Sequence, residues 1–296
     1  MERTLNGLGA QFTDSSVVLF ENDSRDATRE RLLQLVARSG GRVSVLLSES
    51  LSGRFAKRTA RIAQCRGTLL SEVRRAWSNS GHSAPSSTAR GHYMVVLDLD
   101  CKRPVDPQPL RRAVAMMEAY EPNGWSVLAA NSKRNVDYYD LWALRSVALG
   151  VDYDCWQDAR AVEQRGTCNA YEVRIHPRAP VLPVESAFNG LAVYSLAALW
   201  SRAAECSYDG ELTCEHVAFH SCLLSKGLRI GIAPYLVQGC GDGAPRHEVG
   251  PPAVRVRVHA NGSTWRSEAG YNAARESGRF GLVVRPRRRS SAATTV

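Results

Sequence analysis

The sequence has no apolar run that would place the chain in a membrane. No window approaches the roughly 18 consecutive apolar residues that a membrane span requires, and the first residues contain no stretch of signal-peptide length. We therefore expect a soluble, cytoplasmic protein. The 296 residues are 44% hydrophobic and 23% charged, so global disorder is not expected and a full core can be buried.

The cysteines also lack a familiar spacing. None of the eight forms a Cys-x-x-Cys pair, which argues against a structural zinc site. Because no secretory leader is seen, we expect mostly free thiols. Two segments, Asn22-Asp23-Ser24 and Asn261-Gly262-Ser263, match the N-glycosylation sequon, a match without meaning outside the secretory route.

The sequence is basic, with a net charge of +9. Four arginines in the last twelve residues account for part of this charge and leave +5 for the rest. A moderately basic body suits an anionic ligand such as a nucleotide diphosphate, although an ordinary soluble protein can be equally basic. The interleaved aromatic and basic residues of single-strand nucleic-acid binders are missing. The basic tail remains a candidate for peripheral contact with phospholipid or nucleic acid.

Apolar runs and helical periodicity alternate along the chain. Residues 16–20 predict a buried strand, a helix follows to about residue 38, and residues 42–47 predict a second strand. This spacing of about 30 residues is the unit of a parallel sheet and predicts an α/β fold. The remaining predicted elements are helices at 55–77, 109–120, 141–147 and 213–225, strands at 93–97, 125–130, 171–175 and 228–233 (the last ended by Pro234), and a strand that continues as a helix at 191–200.

Two carboxylates follow the predicted strand at residues 93–97, as Asp98-Leu99-Asp100. Ligands of open α/β sheets bind outside the carboxyl ends of strands, and residues i and i+2 of a strand face the same side. Neighbouring carboxylates repel each other unless a cation lies between them, and Mg²⁺ or Mn²⁺ can share oxygen ligands with a diphosphate. We therefore predict a metal at Asp98 and Asp100. A pair of loop-capping acids is the alternative.

Other polar groups are predicted near the same edge of the sheet. Glu21-Asn22-Asp23 follows the first strand and can contact a base or ribose, cap the next helix, or do both. Arg58 and Arg61 share a face of the long helix, where guanidinium groups can pair with phosphate. Together with Arg66 they can also form no more than a solvated basic face.

The predicted helix at 213–225 carries an acid followed by two histidines. His216 and His220 lie one turn apart and can both meet a metal, while Glu215 can act as a general base. No Glu follows His216, so the HExxH motif of zinc peptidases is not present here. Imidazoles also serve as ordinary hydrogen-bonding groups, which leaves a structural role open.

Six segments occur in an order that resembles the GT-A glycosyltransferases and, more narrowly, the fungal capsule-associated mannosyltransferase-like group, with relatives in large DNA viruses. In a virus, the cytoplasm expected above would be that of the host. The segments are 17–34 (VVLFENDSRDATRERLLQ), 58–70 (RTARIAQCRGTLL), 93–100 (YMVVLDLD), 138–145 (YYDLWALR), 181–194 (VLPVESAFNGLAVY) and 214–234 (CEHVAFHSCLLSKGLRIGIAP).

The resemblance implies roles for matching residues. It implies Asp98 and Asp100 as ligands of Mn²⁺ or Mg²⁺, with Asp100 also catalytic, and Glu215 as the base with His216 or His220 near the metal. The donor nucleotide and sugar would be bound by the metal ligand Asp98 and by Glu21, Asn22, Arg61, Asp140, Trp142, Arg145, Ser186, Asn189 and Gly190.

The resemblance also implies an activity and a fold. The activity is metal-dependent transfer of a hexose from a UDP- or GDP-sugar to a hydroxyl acceptor on a glycan or protein. The fold is a GT-A, Rossmann-like single domain at residues 1–238, with a mostly parallel central sheet flanked by helices. Its nucleotide-binding part would be about 15–132 and its sugar- and acceptor-binding part about 133–238. Residues 239–296 are expected to form an irregular extension with a disordered basic tail.

Two other functions remain open. A nucleotidyltransferase would also use an acidic pair and a metal, but it usually carries a Gly-rich phosphate loop where this chain has Glu21-Asn22-Asp23-Ser24. A non-catalytic module that binds nucleotide sugars is the second alternative.

Overall fold

The computed structural model describes residues 2–79, 91–99, 101, 105–119, 124–133, 136–159, 162, 171–239 and 254–267. In the first half of the chain, helices and strands alternate much as the hydrophobic pattern predicts. The helices are α1 (Glu2–Gly9), α2 (Thr28–Arg38), α3 (Leu51–Arg54), α4 (Arg58–Asn79) and α5 (Pro107–Ala119), and the strands are β1 (Val17–Asn22), β2 (Val43–Ser48), β3 (Tyr93–Leu97) and β4 (Val127–Asn131).

The second half contains a 3₁₀ helix (Cys155–Gln157), α-helices and six strands in the described ranges. The α-helices and strands are β5 (Tyr171–Ile175), β6 (Leu182–Pro183), β7 (Leu191–Ser195), α6 (Leu196–Arg202), α7 (Glu215–Ser225), β8 (Ile230–Val237), β9 (Val254–Val258) and β10 (Thr264–Ser267). β7 passes directly into α6 because Ser195 Oγ accepts a hydrogen bond from the Ala198 N–H and caps the new helix. α7 ends before Gly227, whose φ of 73° suits a helix C-terminus.

The strands form three sheets in the part of the chain that the structure describes. β1 and β2 pair in parallel, as the β-α-β spacing predicts. The largest sheet has the order β3-β7-β4-β8-β6, and the third has the order β10-β9-β5. In the largest sheet only β4 and β8 pair in parallel. The fold is therefore mixed α/β. The five-stranded sheet is mixed, so it is not the mostly parallel central sheet that was predicted.

Side chains of the five-stranded sheet alternate between two apolar layers, as the two-residue period of a strand requires. On one face, Leu128 belongs to a buried cluster with Met117 of α5. On the opposite face, Val127 belongs to a cluster with Leu70 of α4 and Phe219 of α7. The sheet is thus covered by helices on both faces. Within the described ranges, no helix combines the length and apolar composition that crossing a bilayer demands.

Two predictions of local structure were wrong. Residues 141–147 form turns and bridges rather than a short helix, because Arg145 pairs with Ser186 and Ser146 pairs with Val151. β8 continues through Pro234 instead of ending there. The β4–β8 register shifts after Ala129, and such an irregularity accommodates a residue that has no N–H to donate.

The C-terminal extension is partly ordered, whereas the sequence interpretation made it irregular. β9 and β10 form an antiparallel hairpin, and β9 also pairs in parallel with β5. The short pattern VRVRV in β9 places three valines in the core and turns the arginines outward. The rest of the expected irregular extension, residues 240–253 and 268–296 with the basic tail, lies outside the described residues.

The prediction of mostly free thiols was also wrong. A disulfide joins Cys206, after α6, to Cys222 on α7, with Cα atoms 5.7 Å apart. Cys101 and Cys155 are disulfide-bonded as well. The sequence spacing did not indicate the Cys206–Cys222 pair, because the two residues meet only when the segment after α6 packs against α7. Cys65 and Cys214 are free thiols.

Candidate functional site

Ends of three strands meet at one edge of the five-stranded sheet. β3 ends at Leu97, just before Asp98, and the antiparallel β7 starts opposite it at Leu191. β4 runs antiparallel to β7, so its carboxyl end lies at this edge too. The Asp98 N–H donates to the Gly190 carbonyl oxygen over 2.9 Å, and Gly190 has a φ of 81° that favours glycine. The fold therefore holds the segment before β7 against the exit of β3.

Arg66 of α4 is the centre of positive charge at this edge. Its guanidinium lies 2.9 Å from Asp98 Oδ1, pairs with Glu215 at the start of α7, and lies 4.4 Å from the centroid of the Phe188 ring. The Arg66 and Glu215 side chains are 11% and 5% exposed, whereas Asp98 is 42% exposed. Burial opposes the charge of Arg66, but the Glu215 and Asp98 carboxylates outweigh it and raise the pKa of Arg66. Arg66 therefore stays charged.

Asp140 and Asn189 hold each other beside this cluster. The Asn189 and Ala143 N–H groups donate to the Asp140 carboxylate over 3.3 and 3.2 Å. Asn189 Oδ1 accepts from the Tyr139 and Asp140 N–H groups over 3.1 and 3.2 Å. Burial, followed by the charge of Glu215, raises the pKa of Asp140 to about 6. This carboxyl group can exchange a proton close to neutral pH.

Several buried side chains near these carboxylates have polar atoms without a hydrogen-bond partner among the described residues, and two of these side chains are amide or imidazole groups. The unpartnered atoms of these two are Nδ2 of Asn189 and both ring nitrogens of His216. The His216 ring stacks on Phe188 with centroids 3.9 Å apart, and its Nε2 is 3.9 Å from Glu215 Oε1. Burial lowers the pKa of His216 well below its usual value, so the ring is neutral. A buried polar atom left without a partner costs about 1–3 kcal/mol and calls for an explanation.

His220 has a hydrogen-bonding role instead of the predicted metal role. Its Nδ1 and Nε2 lie 3.0 Å from Ser186 Oγ and 3.0 Å from Tyr194 Oη, so both ring nitrogens are used. Burial, followed by the charge of Arg66, lowers the pKa of His220 to about 3. A neutral imidazole can donate to one hydroxyl and accept from the other. Ser186, His220 and Tyr194 therefore form a buried hydrogen-bonded chain that ties α7 to β7.

The polar groups at the end of β1 bind the following loop and the segment after β2. Glu21 is buried, and its Oε1 accepts from the Ser24 N–H over 2.9 Å. Asp23, with a φ of 58°, accepts from the N–H groups of Ser50 and Ser52 over 2.6 and 3.1 Å, which lowers its pKa. The segment after β2 is thereby tied to the end of β1. Glu21 and Asp23 thus form hydrogen bonds within the protein. The predicted contacts of this segment with a nucleotide remain predictions.

The end of β1 approaches the charge cluster through α4. Asn22 Oδ1 lies 3.7 Å from Cys65 Sγ, and Cys65 precedes Arg66. Arg61, predicted to contact the nucleotide, instead donates to the Phe55 and Ala56 carbonyl oxygens over 2.8 and 2.9 Å. Of the three arginines considered in α4, Arg66 is the one that reaches the carboxylates.

Two further residues predicted to bind the donor lie in a neighbouring loop. Arg145 forms a 2.8 Å ion pair with Asp154 and donates to Thr213 Oγ1 over 3.4 Å. The Trp142 ring packs against Trp156, with centroids 4.3 Å apart. These contacts connect residues 142–156 to the segment before α7. Their predicted contacts with a donor remain predictions.

The metal prediction rests on one described aspartate. Asp98 is at the expected strand exit, whereas Asp100 lies outside the described residues. Across the described ranges, no group of three or more His, Cys, Asp or Glu side chains is arranged to hold a metal ion. A cavity of about 310 Å³ lies between α4 and residues 208–211, and its lining does not include Asp98, Asp140 or Glu215.

Arg66 could have been chosen from the sequence. It lies three residues after Ala63 and four before Leu70, both of which are buried. It therefore occupies the apolar stripe of α4 rather than the solvated face. A charge in such a stripe needs an anionic partner, and this requirement distinguishes Arg66 from Arg58 and Arg61.

Known proteins add no assignment to these observations. No model of a known protein family matches the chain, and no curated protein matches it. The candidate function therefore depends on the site geometry and on the sequence motifs.

Proposed function

We propose that this protein is a metal-dependent glycosyltransferase of the GT-A type that transfers a hexose from a UDP- or GDP-sugar to a hydroxyl group of a glycan or protein. One observation carries the proposal: Asp98, at the carboxyl end of β3, shares Arg66 with Glu215 of a separate helix. Ligands of α/β sheets bind at such strand ends. An acid at the strand exit and a second acid across the site suit donor binding and acceptor activation.

The residues present fit a hard divalent cation. Asp98 supplies a carboxylate that is 42% exposed, and Asp100 follows on the same segment. Mg²⁺ sites of this kind use one or two carboxylates and complete their coordination with substrate phosphate and water, so a set of three protein ligands is not required. Asp98 and Asp100 would hold Mn²⁺ or Mg²⁺. When bound, the cation neutralises charge that develops on the leaving diphosphate.

Two carboxyl groups are candidates for accepting the acceptor hydroxyl proton. The sequence motif favours Glu215, which Arg66 holds in place and keeps paired. Asp140 is the second candidate, because its pKa of about 6 places proton exchange near physiological pH. Asn189 would orient Asp140, since its backbone N–H bonds the carboxylate.

A screen of nucleotide sugars with Mn²⁺ tests the proposal, with released nucleotide as the measurement. One donor should be hydrolysed or transferred only when the metal is present. Asp98→Asn should lower kcat/KM on the order of 100-fold or more, because the metal contributes several kcal/mol of charge stabilisation. Asp106→Asn is the matched control: this exposed acid only caps α5 through the Gln108 N–H, and the variant should keep full activity.

Other outcomes would support the rival functions. Pyrophosphate release from a nucleoside triphosphate and a sugar phosphate would indicate a nucleotidyltransferase. Donor binding without turnover, unchanged in Asp98→Asn, would indicate a binding module. The pH profiles of Glu215→Gln and Asp140→Asn identify the base, because only loss of the true base should remove the acidic limb of kcat/KM while donor affinity is kept.

A further inference from the structure

The disulfides change the meaning of the two glycosylation sequons. Cys206 is bonded to Cys222, and Cys101 and Cys155 are disulfide-bonded too. Disulfides form and persist in oxidising compartments such as the endoplasmic reticulum lumen and are rare in the cytosol. N-glycosylation takes place on chains that enter the same lumen. The disulfides therefore favour a compartment in which a sequon has chemical meaning, rather than the cytoplasm expected from the sequence.

The second sequon occupies the exposed turn between β9 and β10. The turn is closed by the His259 N–H, which donates to the Ser263 carbonyl oxygen over 2.9 Å. Asn261 Oδ1 accepts from the N–H and the Oγ of Ser263 over 3.0 and 2.8 Å. The hydroxyl that the sequon requires therefore already contacts the side-chain amide that would be modified. Asn261 itself is exposed.

The turn has little freedom to rearrange. Gly262 has a φ of 84°, and a Cβ atom at this position would lie 2.9 Å from Pro180 Cγ. Its N–H donates to the His259 carbonyl oxygen over 3.0 Å. Both strands that flank the turn are paired, β10 with β9 and β9 with β5. The folded protein can thus carry a large group on Asn261 without loss of a core contact.

The first sequon is held differently. Asn22 is half-buried at the end of β1, with Oδ1 3.7 Å from Cys65 Sγ and Nδ2 3.4 Å from Asp23 Oδ2. Asp23 in turn binds the N–H groups of Ser50 and Ser52. A glycan on Asn22 would have to displace these contacts. The two sequons therefore provide a matched pair within one chain.

We propose that Asn261 is an N-glycosylation site and that Asn22 is not. The co-reactant is an oligosaccharide carried on a lipid diphosphate. Nδ2 of Asn261 forms a bond to the anomeric carbon of the sugar, the bond from that carbon to the diphosphate oxygen breaks, and the lipid diphosphate leaves with the proton lost by the amide. The product is a glycan on the β9–β10 turn of this protein.

The test expresses the full chain behind a cleavable secretory leader in cultured eukaryotic cells and digests the product with a peptide N-glycosidase. The wild type, Asn22→Gln and Ser263→Thr should each shift by one glycan, whereas Asn261→Gln and Ser263→Ala should not shift. Non-reducing peptide mapping of the same samples should recover the Cys206–Cys222 pair.

Three results would overturn the proposal: an unshifted wild type, a shift that persists in Asn261→Gln, or free thiols at Cys206 and Cys222. Because two different substitutions remove the sequon, misfolding of one variant does not decide the outcome. The measurement does not depend on any transferase activity of this protein itself. This proposal and the proposed function can therefore fail independently.

Discussion

Replacing Arg66 by methionine should destabilise the protein far more than replacing an exposed arginine. The substitution keeps most of the side-chain length but leaves the Glu215 carboxylate, 5% exposed, without its cation. Removing one partner of a buried ion pair costs about 3–5 kcal/mol. The exposed pair with Asp98 adds at most about 1 kcal/mol, and loss of the contact with the Phe188 ring adds about 0.5–2 kcal/mol.

Denaturant unfolding, with linear extrapolation to water, measures this change. Arg75→Met is the control, because Arg75 is 65% exposed in its pair with Glu72 and should cost no more than about 0.5 kcal/mol. The double variant Arg66→Met with Glu215→Gln should recover most of the lost stability, since neither position of the former ion pair then carries a charge. Equal costs for Arg66→Met and Arg75→Met, or no recovery in the double variant, would refute the argument.

Two further predictions concern protonation and packing. The pKa of Asp140 is raised to about 6 in the folded protein, so the folded protein binds this proton more tightly than the unfolded chain does. The stability of the wild type should therefore fall relative to that of Asp140→Asn as the pH rises from about 4 to 6, by roughly 3 kcal/mol at most. Unfolding titrations across that pH range measure this difference. Gly210→Ala would place a Cβ atom 2.2 Å from the Thr59 carbonyl oxygen and should cost about 1–3 kcal/mol in thermal unfolding. In Gly67→Ala on α4 the new Cβ atom meets nothing within 4 Å, so this variant should be more stable by about 0.5–1 kcal/mol. Similar effects for both variants would contradict the packing shown.

The sequence was informative where apolar periodicity was long or continuous. β1, α2 and β2 match their predicted positions closely, and β3 begins and ends at the predicted residues 93 and 97. The pattern did not show that β7 would pair between β3 and β4 in the antiparallel sense. That arrangement depends on where a strand from the second half enters the sheet, and the periodicity of the strand itself carries no such information. The short strands of the C-terminal hairpin were missed as well, although the alternation in β9 is as long as that in β5, which was predicted.

The candidate site divides in the same way. Asp98 could be placed at the end of a strand because the five residues before it form a continuous apolar run. Glu215 could be placed at the start of a helix. That Arg66 would join the two carboxylates could not be read from spacing, because α4 and α7 are far apart in sequence and meet only through packing. The partners of His220 were hidden for the same reason: Ser186 and Tyr194 lie outside its helix.

The balance of charge at this edge of the sheet is the reason for proposing a cation site at Asp98 rather than a loop cap. Arg66 provides the positive charge that Asp98 and Glu215 share, and the charges of Glu215 and Asp98 both contribute to the raised pKa of Asp140. A capping acid would be satisfied by backbone N–H groups, as Asp23 is. The partly exposed carboxylate of Asp98 instead pairs with the Arg66 guanidinium, which also pairs with the buried Glu215. A divalent cation at Asp98 would weaken the repulsion that adds to burial in raising the pKa of Asp140, so metal binding and proton exchange at this edge should be coupled.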